Sequence, residues 1–169
     1  MRFLVIGCGS IGAWRAKILA DWGHSVAVYD TVAAKSDALK LHRVDNWAET
    51  AAVSDGMFVC TPPKYHLSYC LACAGSGVPF FVEKPLSTGL TDLHVDALTQ
   101  LIETMQERGA WGMMGQSYRH LPSLQKFGKQ FSHQDILAAE IWQGQNLADW
   151  RPDADYKLSY SASIEQGGV

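Results

Sequence analysis

The chain has 169 residues, 47% of them hydrophobic and 18% charged, which is enough apolar mass for one domain with a core and the beginning of a second. Fourteen basic residues against seventeen acidic ones leave a net charge of −3, so no basic surplus faces a phosphate backbone and nucleic acid is excluded as an expected partner. Four cysteines are too few for a disulfide framework and fit reduced thiols in a cytoplasmic protein.

In chain order, short apolar runs alternate with helical patterns. Phe3 to Ile6 is a continuous apolar run, the pattern of a parallel strand buried on both faces. Ile11, Trp14, Ile18, Leu19 and Trp22 recur at spacings of three and four and predict a helix over 11–22, stopped by Gly23. Trp14 and Trp22 on that face are expected to pack in the core or at its edge. A second strand is predicted over 25–29, ending at Asp30, then a helix over 33–40, a short strand over 42–44 and a short helix over 47–53. The fourth strand, 57–60, is closed by Thr61-Pro62-Pro63, and a helix over 65–74 is stopped by Gly75 to Gly77. Residues 79–82 read as a fifth strand ended by Glu83-Lys84-Pro85, 91–107 as a long helix and 111–114 as a sixth strand. Beyond Gly115 the pattern changes to a helix over 122–131, a strand over 135–143, and a polar, aromatic stretch over 146–169 with little periodicity. The longest stretch without Asp, Glu, Lys or Arg, 65–82, is broken by Gly75, Gly77 and Pro79, so no membrane-spanning helix is expected. The alternation implies an α/β class with a doubly wound parallel sheet.

Gly7-Cys8-Gly9-Ser10-Ile11-Gly12 fits G-x-G-x-x-G directly after the first strand and at the opening of a helix. Gly7 permits the tight turn, Gly9 the approach of a pyrophosphate, and Gly12 the packing of helix on strand. The free N–H groups of the helix start, at Ser10 and Ile11, favour the anion. Asp30 follows by about 20 residues, placed to accept hydrogen bonds from the ribose hydroxyls of NAD and to repel the 2′-phosphate of NADP. Thr31 rather than Arg comes next, which favours NAD, while Lys35 leaves NADP open.

Lys84 stands at the carboxyl end of the fifth strand, where open α/β sheets bind ligands. A lysine there can hydrogen-bond a substrate hydroxyl or take its proton as hydride leaves. Pro85 would fix the backbone that aims it, with a cis bond open.

With these residues the chain resembles the glucose–fructose oxidoreductase / inositol dehydrogenase / rhizopine-catabolism (Gfo/Idh/MocA) family of NAD(P)-dependent dehydrogenases. The stretches that carry the resemblance are VIGCGSIGAWRAKIL, VCTPPKYHLSYCLACAGSGVPFFVEKPLS, GQSYRHLPSLQKF and WRPDADYKLSYSAS. The resemblance implies a Rossmann domain, over 1–117, and the incomplete start of an open-sheet α/β domain for substrate and oligomerisation, over 118–169. It implies Lys84 as a catalytic, substrate-contacting residue. Thr61, Pro62, His66 and Glu83 match positions beside the cofactor. Tyr118, Arg119, Trp150 and Arg151 match positions that face substrate or nicotinamide.

The expected function is hydride transfer to or from a carbon of a sugar, nucleotide sugar or cyclitol, with a sugar-like small molecule as partner. Family members often assemble through the second sheet, so a homo-oligomer is an assembly the resemblance leaves open. The family's G-G-x-x-x-D-x-x-x-H element would begin at Gly167-Gly168-Val169, so the chain is expected to be the N-terminal half of such an enzyme. The alternative is a non-enzymatic NAD(P)-binding module acting through a partner. His66, Cys70 and Cys73 share a helical face, but no fourth ligand at a matching spacing accompanies them, so no metal is expected. Cys8 lies in the glycine turn at a helix start, where a thiol pKa can fall.

Overall fold

The computed structural model describes residues 1–89, 91–130, 137, 138, 140–142, 144, 146–150, 152 and 155–164. Six parallel strands form one sheet: β1 (Arg2–Ile6), β2 (Ser25–Tyr29), β3 (His42–Arg43), β4 (Gly56–Val59), β5 (Phe80–Val82) and β6 (Gly112–Met114), in the order β3-β2-β1-β4-β5-β6. This is the doubly wound order expected, with its reversal between β1 and β4, where a crevice opens at the strands' carboxyl ends.

Strand alternation divides the core into two layers. Leu4 and Ile6 of β1, Met57 and Val59 of β4, and Phe80 and Val82 of β5 point to one face. There they meet α3 (Trp47–Ala51), α4 (His66–Gly75) and α5 (Asp92–Arg108) through residues such as Ala51, Cys70, Cys73 and Leu101. Val5, Val26 and Val28 point to the other face and meet Ala16 and Leu19 of α1 (Ser10–Asp21), with Leu39 just beyond α2 (Ala33–Asp37). Because both faces are covered, the central strands are apolar at consecutive positions.

Two expectations need correction. Trp14 and Trp22 are 58% and 72% exposed, so they do not pack in the core. The face α1 buries is Gly12, Ala16 and Leu19: Leu19 is buried as its spacing predicts, while near the glycine turn the helix lies so close that only the small residues Gly12 and Ala16 fit. The strand expected over 135–143 falls partly on 135, 136, 139 and 143, which lie outside the described residues; 137, 138 and 140–142 belong to no strand. Leu137, Ile141 and Trp142 are exposed, since an apolar strand face is stable only against a second layer. After β6 come α6 (Pro122–Lys129) and α7 (Leu147–Trp150). Among the described residues no helix is long and apolar enough to cross a membrane.

Candidate active site

The turns after β1, β2, β4 and β5 converge on one cavity of about 380 Å³. Gly7 adopts φ +93°, a left-handed conformation that glycine takes without strain, and its N–H donates to the Tyr29 carbonyl at 2.8 Å. Gly9 then caps α1, and the first N–H groups of that helix have no helical acceptors. Gly9, Ser10 and Ile11 line the cavity. A Cβ on Gly9 would meet nothing within 4 Å, so the space above it is free for a ligand. A Cβ on Gly12 would lie 1.8 Å from the Gly7 carbonyl oxygen, so Gly12 closes the turn from behind.

Asp30 accepts the Cys8 N–H at 2.7 Å on Oδ2 and the Val32 N–H at 2.8 Å on Oδ1. It thereby clamps the glycine turn to the end of β2. An ionised carboxylate has about four lone-pair sites, so it retains acceptor capacity toward the cavity it lines. Thr61 and Pro62, after β4, form the opposite wall. Thr61 Oγ1 is buried with no hydrogen-bond partner among the described residues. Such an orphan costs about 1–3 kcal/mol unless a ligand satisfies it. An open glycine turn, a carboxylate with spare acceptors and an orphaned hydroxyl together fit a dinucleotide.

His66 is fully buried behind this wall. Its Nδ1 lies 2.7 Å from the Pro85 carbonyl and its Nε2 2.7 Å from the Thr61 carbonyl. Both nitrogens are turned to the protein, so the ring ties the loop after β4 to the loop after β5. Lys84 follows β5, is exposed, and is joined to Pro85 by a cis peptide bond. It borders the cavity and also a groove of about 500 Å³ formed with Pro85 to Gly89, Met114 and Gln116. A further groove of about 630 Å³ shares Met114 and Gln116 and includes Tyr118 and Arg119.

Gly7, Gly9, Ser10, Ile11, Asp30, Thr61, Pro62, His66, Glu83 and Lys84 thus all border one cavity. Tyr118 and Arg119 stand apart from it. Trp150 ends α7, and Arg151 lies outside the described residues. Sequence reasoning missed Arg15, whose Nε donates to Glu83 Oε1 at 2.6 Å. The available signal was a charge one turn beyond Gly12, on the side of α1 that approaches the sheet. It also missed Tyr65 and Tyr69, which line the cavity from the α4 side.

The thiols are all held above their ordinary range. Burial, then the Asp30 carboxylate, pushes Cys8 up from 9.0 to about 11. Burial, then Glu83, pushes Cys60 to about 12, and burial takes Cys70 and Cys73 to about 12. The glycine turn therefore does not activate its thiol. All four are expected to react with a disulfide reagent at pH 8 at least about tenfold more slowly than in the unfolded chain. Raised folded-state values mean that the thiols' contribution to stability is full below pH 9 and is lost as pH rises toward 11–12. A native thiol reacting at the unfolded rate would contradict these environments.

A family model described as "Oxidoreductase family, NAD-binding Rossmann fold" (GFO_IDH_MocA) matches residues 1–116. Among solved structures, UDP-N-acetylglucosamine 3-dehydrogenase from Acidithiobacillus ferrooxidans is similar at 24% identity and a TM-score of 0.66, over 77% of this chain and 41% of that one. The WlbA dehydrogenase from Bordetella pertussis, solved with NADH and UDP-GlcNAcA, is similar at 20% identity and a TM-score of 0.65, over 76% and 40%. Myo-inositol 2-dehydrogenase from Lactobacillus plantarum is similar at 18% identity and a TM-score of 0.65, again over 76% and 40%. At these identities the likeness establishes the fold, and the chain spans about two fifths of the length of these structures. No curated protein matches the sequence.

Proposed function

The chain belongs to the Gfo/Idh/MocA oxidoreductase family, with its NAD-binding Rossmann fold, and from that premise we propose that it serves oxidation or reduction at a hydroxyl-bearing carbon of a sugar, nucleotide sugar or cyclitol. The observation that carries this reading is the position of Lys84, which borders both the cavity and the adjoining open groove. A cofactor in the first and a substrate in the second would meet at its amine. Relatives of this fold named for UDP-N-acetylglucosamine and myo-inositol support a polyhydroxylated substrate.

NAD, when bound, supplies the hydride donor or acceptor at its nicotinamide. Gly7, Gly9 and Gly12 shape the turn, and the N–H groups at Ser10 and Ile11 hold the pyrophosphate. The spare acceptors of Asp30 hold the adenosine ribose, and its charge disfavours a 2′-phosphate. Thr61 Oγ1 and Pro62 contact the cofactor from the other wall, and His66 keeps that wall in register with Lys84. Glu83 shapes the cavity floor. Lys84 Nζ orients the reacting hydroxyl and holds its proton. Tyr118 and Arg119 extend the substrate groove, with Trp150 and Arg151 assigned to substrate by resemblance. The division at 117/118 separates the cofactor unit from the start of the substrate unit, in a cytoplasmic protein.

NADH titration followed by tryptophan fluorescence tests the cofactor site. Tighter binding of NADH than NADPH, by about tenfold or more for a carboxylate facing a phosphate, is expected. Equal affinities would overturn the role of Asp30. Absorbance at 340 nm with NAD and a panel of UDP-N-acetylhexosamines, hexoses and inositols tests the reaction. NADH binding without turnover on any of them would favour a binding module over an enzyme.

A further inference from the structure

Resting on the reading that the cavity takes NAD and that Lys84 meets the substrate, we propose that Arg15 is a positioning residue that couples the glycine turn to Lys84 through Glu83. Arg15 stands one turn beyond Gly12 on α1, so its backbone belongs to the helix whose N-terminus forms the pyrophosphate wall. Its Nε donates to Glu83 Oε1 at 2.6 Å, and its Nη2 lies 2.5 Å from the same oxygen. Its guanidinium carbon lies 4.4 Å from the centroid of the Phe81 ring. Phe81 lies in β5 and Glu83 is the first residue beyond it, two positions on, so the extended chain turns both toward α1, where Arg15 meets them.

The pair is shielded, with side chains 26% and 18% exposed. A charge-assisted contact so placed is shorter and better ordered than a surface ion pair. Glu83 is also fixed along its backbone, where its N–H donates to the Val59 carbonyl at 3.0 Å. On its far side, Gly115 leaves room for it: a Cβ there would lie 3.3 Å from Glu83 Oε2 and 2.8 Å from the Phe81 ring. The carboxylate is therefore committed to Arg15 rather than to the ammonium of the next residue, Lys84. Through this contact, the helix that receives the pyrophosphate holds the residue immediately before the proposed proton carrier. A purely structural ion pair would set stability alone; a positioning pair also sets where the Lys84 amine stands when the dinucleotide is bound.

The test is acetic anhydride labelling of the Lys84 amine, read by peptide mass with and without saturating NADH. In the wild-type protein NADH is expected to slow the labelling. Arg15→Met should still bind NADH and lose that protection at saturating NADH. Glu83→Gln should reproduce the loss, Arg15→Lys should retain most of the protection, and the double variant Arg15→Met/Glu83→Gln should be no worse than either single change, as one interaction requires. Failure of NADH to bind the wild-type protein would remove the cofactor reading, and the coupling with it. Binding without protection of wild-type Lys84, or protection retained in Arg15→Met, would overturn the coupling alone. Joint loss of melting temperature and affinity in Arg15→Met, with protection intact in Glu83→Gln, would reduce the pair to a structural contact. Should Arg15→Met not fold, Glu83→Gln carries the test.

Discussion

A Gly12→Ala variant is expected to lose much of the protein's stability together with all measurable NADH binding, whereas Gly9→Ala should keep its melting temperature and lose only the binding. The two glycines belong to one motif but face different surroundings. The added Cβ at Gly12 would stand 1.8 Å from the Gly7 carbonyl oxygen and 2.9 Å from its carbon. Both are backbone atoms, which cannot rotate away as a side chain would. Nor can Gly7 yield, because its N–H is held by the Tyr29 carbonyl and its own α-carbon packs against the Cys60–Thr61 peptide, where a Cβ would approach to 2.7 Å. The helix must move off the sheet instead, uncovering Ala16, Leu19 and Val5. A clash of this kind belongs with the rare substitutions that cost more than about 4 kcal/mol. For a domain of this size that lowers Tm by roughly 10 °C or more. At Gly9, by contrast, φ is −67° and nothing lies within 4 Å, so alanine is tolerated to within about 0.5 kcal/mol. Its methyl group would enter the space proposed for the pyrophosphate. Thermal melts and NADH titrations of both variants decide this. Unimpaired binding by Gly9→Ala would remove the pyrophosphate from that turn.

The central strands were legible along the chain because they are buried on both faces and are therefore apolar at consecutive positions, as Phe3 to Ile6 and Met57 to Cys60 are, whereas β3 (His42–Arg43) is exposed and carries no such run. The ends of β1, β4, β5 and β6 were legible because glycine or proline follows within three residues. Spacing alone placed the buried face of α1 only in part. Ile11, Trp14, Ile18, Leu19 and Trp22 have the right period and Leu19 is buried as expected, but close approach to the glycine turn selects the small residues Gly12 and Ala16 beside it. Period identifies a helix; side-chain size at the contact decides which side goes in. The cavity's position followed from topology, since the turns after the strands on either side of the reversal in strand order converge there. The tie between loops did not. His66 was expected beside the cofactor, and only three-dimensional packing reveals that its nitrogens reach the carbonyls of Thr61 and Pro85. Arg15 and Glu83 are separated by 68 positions, and no local pattern joins them.

Replacing Lys84 with alanine should lower hydride transfer by about 10²–10⁴-fold, the usual range for a positioned acid–base group, while NADH affinity stays within about twofold. The other titratable groups around the cavity argue for this. Asp30 is engaged by two backbone N–H groups, Glu83 by Arg15, and His66 by two carbonyls. Tyr29 lies beside Asp30 at the end of β2, with Lys35 on α2 after it, while Tyr65 and Tyr69 stand on the α4 side of the cavity. Among the described residues, Lys84 alone of the groups bordering the cavity also borders the groove that would carry substrate. Arginine at this position separates its two proposed tasks. A guanidinium still donates hydrogen bonds to a hydroxyl but does not release a proton near neutral pH. Lys84→Arg should therefore retain substrate affinity better than Lys84→Ala and recover little of its turnover. Should both variants turn over at the wild-type rate, the proton must travel by another group and Lys84 would only line the groove. Should the wild-type chain bind NADH and neither variant change any measurable property, the binding module becomes the better account, because a module has no use for an amine held at the meeting of two sites.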